Sequence, residues 1–112
     1  MLRNISALSL TLAATLGTAT PAAAVDHFVM MLGDGFFPDV IYVEDGDRVR
    51  FINGTGVVQT ASAADGSWTT GELGVDEAIN IEIVPGMHQV FTANGIDTIT
   101  GTVFFGLPPL SE

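Results

Sequence analysis

From residue 28 onward, apolar residues come in short runs, several alternating with polar ones, and no long stretch keeps helical spacing. Period-two alternation over four to eight residues is the pattern of a half-buried strand. The runs predict strands at 28–32, 40–43, 48–53, 57–61, 79–84, 89–93 and 99–105. Two of them set the facing. In Arg48-Val49-Arg50-Phe51 charges alternate with apolar residues, and in Ile79-Asn80-Ile81-Glu82-Ile83 three isoleucines share one side. Each sheet is therefore expected to have one wet face and one face in a core. About seven strands in one small domain predict an all-β, Greek-key sandwich.

The connections have their own chemistry. Asp45-Gly46, Asn53-Gly54, Asp65-Gly66 and Asn94-Gly95 supply residues that tolerate positive φ, and Pro85-Gly86 favours a tight turn. Residues 65–78, with Trp68, show no clear strand period. They are expected to cross between the sheets with one helical turn. No internal repeat, linker or second domain is evident.

The first 24 residues differ from the rest. Arg3 is the sole charge before Asp26, and a small, apolar run from Ile5 to Leu16 leads to Ala22-Ala23-Ala24. A basic start, an apolar stretch too short to span a bilayer and an Ala-x-Ala site predict a signal peptide, residues 1–24, cut after Ala24. An uncleaved membrane anchor is the alternative. Cleavage leaves a domain of residues 25–112 with no membrane span, placed in the periplasm or secreted.

Charge narrows the partners. The chain has 13 acidic and 3 basic residues among 112. Past the leader only Arg48 and Arg50 stand against the 13 acids, two minus thirteen, a formal charge of −11. Nucleic-acid binding is excluded, because phosphate contacts need basic side chains. The acids are spread along the chain, a pattern that serves solvation; as a steering field they would suit a basic protein partner. No cysteine is present, so burial alone must stabilise the domain and no thiolate chemistry is available.

Phe37-Pro38, then Ile41-x-Val43-x-x-Gly46-Asp47-x-Val49-x-Phe51-x-Asn53, then Gly71-x-Leu73, Pro85-Gly86 and Gly101-x-Val103 occur in the order found in the cupredoxins. The chain resembles that family, the small blue-copper proteins of the plastocyanin and amicyanin type, over nearly all of residues 25–112. The resemblance implies a cupredoxin-like sandwich. It also implies copper held by a histidine after the Asn-containing strand, then by a cysteine, a second histidine and usually a methionine on the loop before the last strand. Counted from Asn53 and Gly86, these positions fall at Gln59, Thr92, Gly95 and Ile99. None carries a family ligand, and a blue-copper site depends on a thiolate with two imidazoles. Gln59 and Thr92 are expected to close the vacated pocket with neutral hydrogen bonds, and Ile99 to fill the space of the soft ligand.

Other donors offer a second route to copper. If cleavage exposes Val25, then Val25-Asp26-His27 presents an α-amine, two amides and an imidazole, a square-planar nitrogen set suited to copper(II) or nickel(II). His88 lies four positions before Thr92, about 13 Å along a strand, too far to replace the missing cysteine in place. Met30, Met31 and Met87 read as core fillers, with soft copper(I) ligation the alternative.

Enzyme chemistry has little support. Two histidines, His27 and His88, offer few bases, and no Ser, His and Asp arrangement has motif form. The pairs Asp45 with Asp47 and Asp76 with Glu77 read as solvated turns. No EF-hand loop is present. Asn53-Gly54-Thr55 matches a glycosylation sequon but reads as a turn. Phe36, Phe37, Tyr42 and Trp68 read as core or rim.

The sequence thus predicts an exported, monomeric, non-enzymatic cupredoxin-like accessory or binding module, without a cofactor and with an unidentified, basic protein partner. The alternatives are a copper-binding or copper-handling protein using Val25, Asp26, His27 or His88, and a plastocyanin-like electron carrier.

Overall fold

A computed structural model describes residues 24–109. The expected leader, Ala24 apart, lies outside the described residues. The described residues form eight strands: β1 (Asp26–Leu32), β2 (Gly35–Phe37), β3 (Val40–Val43), β4 (Arg48–Asn53), β5 (Ala61–Ala63), β6 (Ala78–Glu82), β7 (Val90–Ala93) and β8 (Ile96–Phe105). They build two four-stranded sheets, in the orders β2-β1-β4-β6 and β3-β8-β7-β5. The pairs β1 with β4 and β3 with β8 are parallel, and the other neighbours are antiparallel. The expected two-layer sandwich is what forms.

Alternation sends Val29, Met31, Phe36, Val49 and Phe51 inward from the first sheet. Ile41, Val43, Phe91, Ala93 and Val103 meet them from the second. Phe91 is central: its ring lies 4.7 Å from Phe36 and 5.3 Å from Phe51, edge-on to both, and 5.8 Å from Trp68. Such edge contacts add to simple area burial. Gly101 pairs with Phe91 across the ladder, and a Cβ there would sit 2.3 Å from the ring. The strand tolerates glycine at that point because the ring occupies the side-chain position.

The strand expectations need four corrections. Strand β2 was not expected, since three residues are too few to show a period. The run at 57–61 is mostly loop: Val57 and Val58 are exposed, Gln59 makes a single bridge to Leu73, and the strand proper begins at Ala61. The last strand begins at Ile96, not 99, so β7 and β8 are joined by Asn94 and Gly95 alone. Residues 65–78 do cross from one sheet to the other, but by turns and two isolated bridges, without a helix.

The expected facing holds for β4, yet the outer face of the first sheet is not uniformly polar. Phe37, Met30, Ile52 and Ala78 lie in one cross-strand row, with Phe28 and Leu32 beside Met30 along β1. Arg48, Arg50, Asn80 and Glu82 share the remainder of that face. No helix among the described residues is long and apolar enough to cross a membrane.

Candidate functional site

Strand β4 ends at Asn53 and strand β7 at the Asn94-Gly95 turn, which brings the two asparagines to the same end of the sandwich from different sheets. A chain of neutral hydrogen bonds joins them. Asn94 Nδ2 donates to Gln59 Oε1 at 2.6 Å, and Gln59 Nε2 donates to Thr55 Oγ1 at 3.1 Å. The Thr55 hydroxyl donates to Asn53 Oδ1 at 2.7 Å. Asn53 Nδ2 faces the carbonyls of Val57, Leu73 and Gly74 at 2.7, 2.9 and 3.0 Å, three acceptors that share its two hydrogens. Asn53 is wholly buried, so its amide is closed to glycosylation in the folded chain, and the sequon serves this network instead.

The turn itself explains why asparagine and glycine stand there. Asn94 has φ 53° and Gly95 φ 75°, the pair of positive angles that a two-residue hairpin of matching twist requires. Asn94 then extends the sheet past its last ladder pair: its N–H donates to Thr60 O at 2.8 Å and its Oδ1 accepts from Thr60 N at 2.9 Å.

Against this frame the four counted copper positions separate. Gln59 is buried and at the centre of the network. Gly95 offers no side chain. Ile99 is half-buried against the core, within a stretch where residues 97–99 of β8 are extra to the ladder with β7. Thr92 is buried and pairs with Ser62 and Thr100, but because Phe91 and Ala93 on either side both enter the core, the pleat directs its side chain to the other face of the sheet. Among the described residues no side-chain hydrogen bond of Thr92 is found. The partner of Gln59 is Asn94, which the sequence marks as a turn residue and nothing more. This donor set does not fit copper: one amide oxygen already bonded, one outward hydroxyl, one glycine and one hydrocarbon.

The opposite end is charged. Asp47 is buried, not solvated as its Gly-rich setting suggests. It accepts from His27 Nε2 at 2.9 Å, from Glu44 N at 2.9 Å and from Val25 N at 3.1 Å. Burial pushes its carboxyl pKa up, but the His27 ring and the two backbone N–H groups outweigh burial and hold it below the usual carboxylate range. Asp26, on the outer face, takes Arg48 Nε at 2.7 Å. His88 Nδ1 lies 3.4 Å from Asp65 Oδ2. The hydroxyl and N–H of Ser67 draw the Asp65 carboxyl below its ordinary pKa. The two histidines are thus held by different carboxylates. Among the described residues no three His, Cys, Asp or Glu side chains converge as a metal site would need.

Of the methionines, Met31 is in the core, Met30 lies against Gly54 on the outer face, and Met87 accepts from Val84 N through sulfur at 3.4 Å. A cleft of about 420 Å³ opens beside Trp68, lined also by Asp65, Ile81, Glu82, Met87 and His88. Its lining shares no residue with the Gln59–Asn94 network.

No family model matches the sequence, and no curated protein does. Solved structures do match in fold. A Cu-containing nitrite reductase from Thermus scotoductus superposes with a TM-score of 0.64 at 19% identity, over 85% of this chain. The chain spans only 25% of that enzyme. A pseudoazurin from Sinorhizobium meliloti matches with a TM-score of 0.55 at 21% identity, over 74% of this chain and 75% of its own. Amicyanin from Paracoccus versutus gives 0.58 at 17% identity, over 78% and 85%. The topology and these neighbours establish the chain as a cupredoxin-like β-sandwich, one without the cysteine on which a blue-copper site depends.

Proposed function

We propose that the protein is an exported, non-catalytic binding or accessory module, monomeric and metal-free, whose partner is a basic protein. The Asn94–Gln59–Thr55–Asn53 network carries this reading. It fills, with neutral groups already bonded to one another, the end at which the resemblance places copper, and the Gln59 oxygen is engaged by Asn94. Gln59, Thr92, Gly95 and Ile99 are on this reading the vacated ligand positions. The surplus of 13 acids over 3 basic residues supports a basic partner. The cleft at Trp68, with Asp65 and Glu82 in its lining, adds a local acidic feature. Residues 1–24 support export to the periplasm or beyond.

Copper handling through Val25, Asp26 and His27, or through His88, would need those groups released from Asp47, Arg48 and Asp65, which hold them now. The test is metal content. The mature chain, purified from its export compartment under metal-clean conditions, is expected to carry negligible copper by elemental mass spectrometry. Near-stoichiometric copper would overturn the reading and direct attention to His27 and His88.

A further inference from the structure

The acceptor built around Asp47 is set for a terminal ammonium. We propose that the mature chain begins at Val25 and that its α-ammonium docks on Asp47, so that removal of the leader strengthens the fold it releases. This rests on the reading that the chain is exported and cut after Ala24.

Three observations carry it. The Asp47 side chain is 9% exposed, and its oxygens are held by His27, Glu44 N and Val25 N. Oδ1 faces Val25 N at 3.1 Å, whereas Oδ2 takes the His27 ring and Glu44 N. Val25 is also fixed from its other side, since Arg48 N donates to Val25 O at 3.0 Å where β1 joins β4. A chain that starts at this residue therefore keeps its nitrogen in place.

Hydrolysis of the Ala24–Val25 bond by an endopeptidase consumes one water. Ala24 leaves with the new carboxylate, and the Val25 nitrogen becomes an amine that is protonated at neutral pH. A neutral amide donor to a buried carboxylate becomes a charged one at the same site. The amide bond to Asp47 is charge-assisted on the acceptor side alone; the ammonium adds a full positive charge beside a buried carboxylate, where salt screens the attraction little. The position is specific. A start at Ala24 leaves Val25 N an amide and moves the ammonium about one residue step, roughly 3.3 Å, along an extended chain. A start at Asp26 removes the donor.

The experiment compares chains with defined N-termini. Protein starting at Val25 with a free amine, the same chain Nα-acetylated, and a chain starting at Ala24 are unfolded by heat at pH 7. The free Val25 form is expected to melt about 4 °C or more above both others. The gap is expected to vanish in the Asp47→Asn background. Equal midpoints for free and acetylated chains, or a gap that persists in Asp47→Asn, would overturn the docking. The acetylation comparison stands even if Asp47→Asn does not fold. N-terminal sequencing of the exported protein tests the cut separately. Val25 supports the proposal. Another first residue overturns the proposal for the natural chain while leaving export intact, and a chain that keeps its leader overturns both.

Discussion

The two ends of this sandwich solve the same problem with opposite chemistry. Each must bury polar groups where strands from both layers finish. At the Asn94 end the solution is a relay of amides and a hydroxyl, every member neutral, running from one sheet to the other. At the Asp47 end one buried carboxylate collects an imidazole and two backbone N–H groups and ties the start of β1 to the loop before β4. Buried polar groups are costly only when left without partners, so both ends are stable, but they answer differently to pH. No member of the relay itself titrates. The charged end does.

Breaking the neutral relay at its most connected member should do the most harm. Asn53→Ala takes one donor from each of three carbonyls that keep a second one, leaves Thr55 N without its acceptor and opens a hole where a wholly buried side chain stood, and should cost about 3 kcal/mol in urea unfolding. Asp47→Asn at the other end should cost about 2 kcal/mol at pH 7. Because the folded pKa of Asp47 lies below its ordinary 3.8, its contribution is complete above that value and is lost as pH falls through the folded pKa. The gap between wild type and Asp47→Asn should therefore close in acid, while the loss from relay variants should be the same at pH 7 and pH 4. A relay loss that tracks pH would contradict the distinction.

Smaller changes sharpen it. Asn94→Gly keeps the φ of 53° accessible and removes only the side-chain bonds, so a loss of about 1 kcal/mol is expected. Asn94→Ala should cost about 1 kcal/mol more, the added strain of a left-handed backbone with a Cβ. Smallest is the coupling between Gln59→Ala and Asn94→Gly, expected at about 0.5 to 1 kcal/mol in a double-mutant cycle. A coupling of zero would mean that the 2.6 Å bond between them holds nothing.

What the sequence could disclose differs between these ends as well. The alternation in Arg48-Val49-Arg50-Phe51 exposes β4 directly, because a strand with one buried face writes its period into neighbouring residues. Asn94-Gly95 likewise announces a hairpin turn. The side-chain partners of Asn94, Asn53 and Asp47 are another matter, since Gln59 lies 35 residues from Asn94, Leu73 20 from Asn53, and His27 20 from Asp47. Local pattern carries no trace of such pairs, and Asp47 beside Gly46 looks like any solvated turn. Counting along the chain from Gly86 also reaches Thr92, which the pleat turns outward, whereas Ala93 next to it faces the core. The start of β8 was hidden for a similar reason: residues 97–99 stand outside the ladder, and Asp97 and Thr98 interrupt the period.

An Asn94 end closed by its own hydrogen bonds should take no copper. The most direct measurement is the thermal midpoint of the metal-stripped protein, with and without one equivalent of copper in each oxidation state. A ligand that binds the folded chain raises its midpoint by mass action. No change is expected. A rise of several degrees that is lost in Gln59→Ala would contradict it.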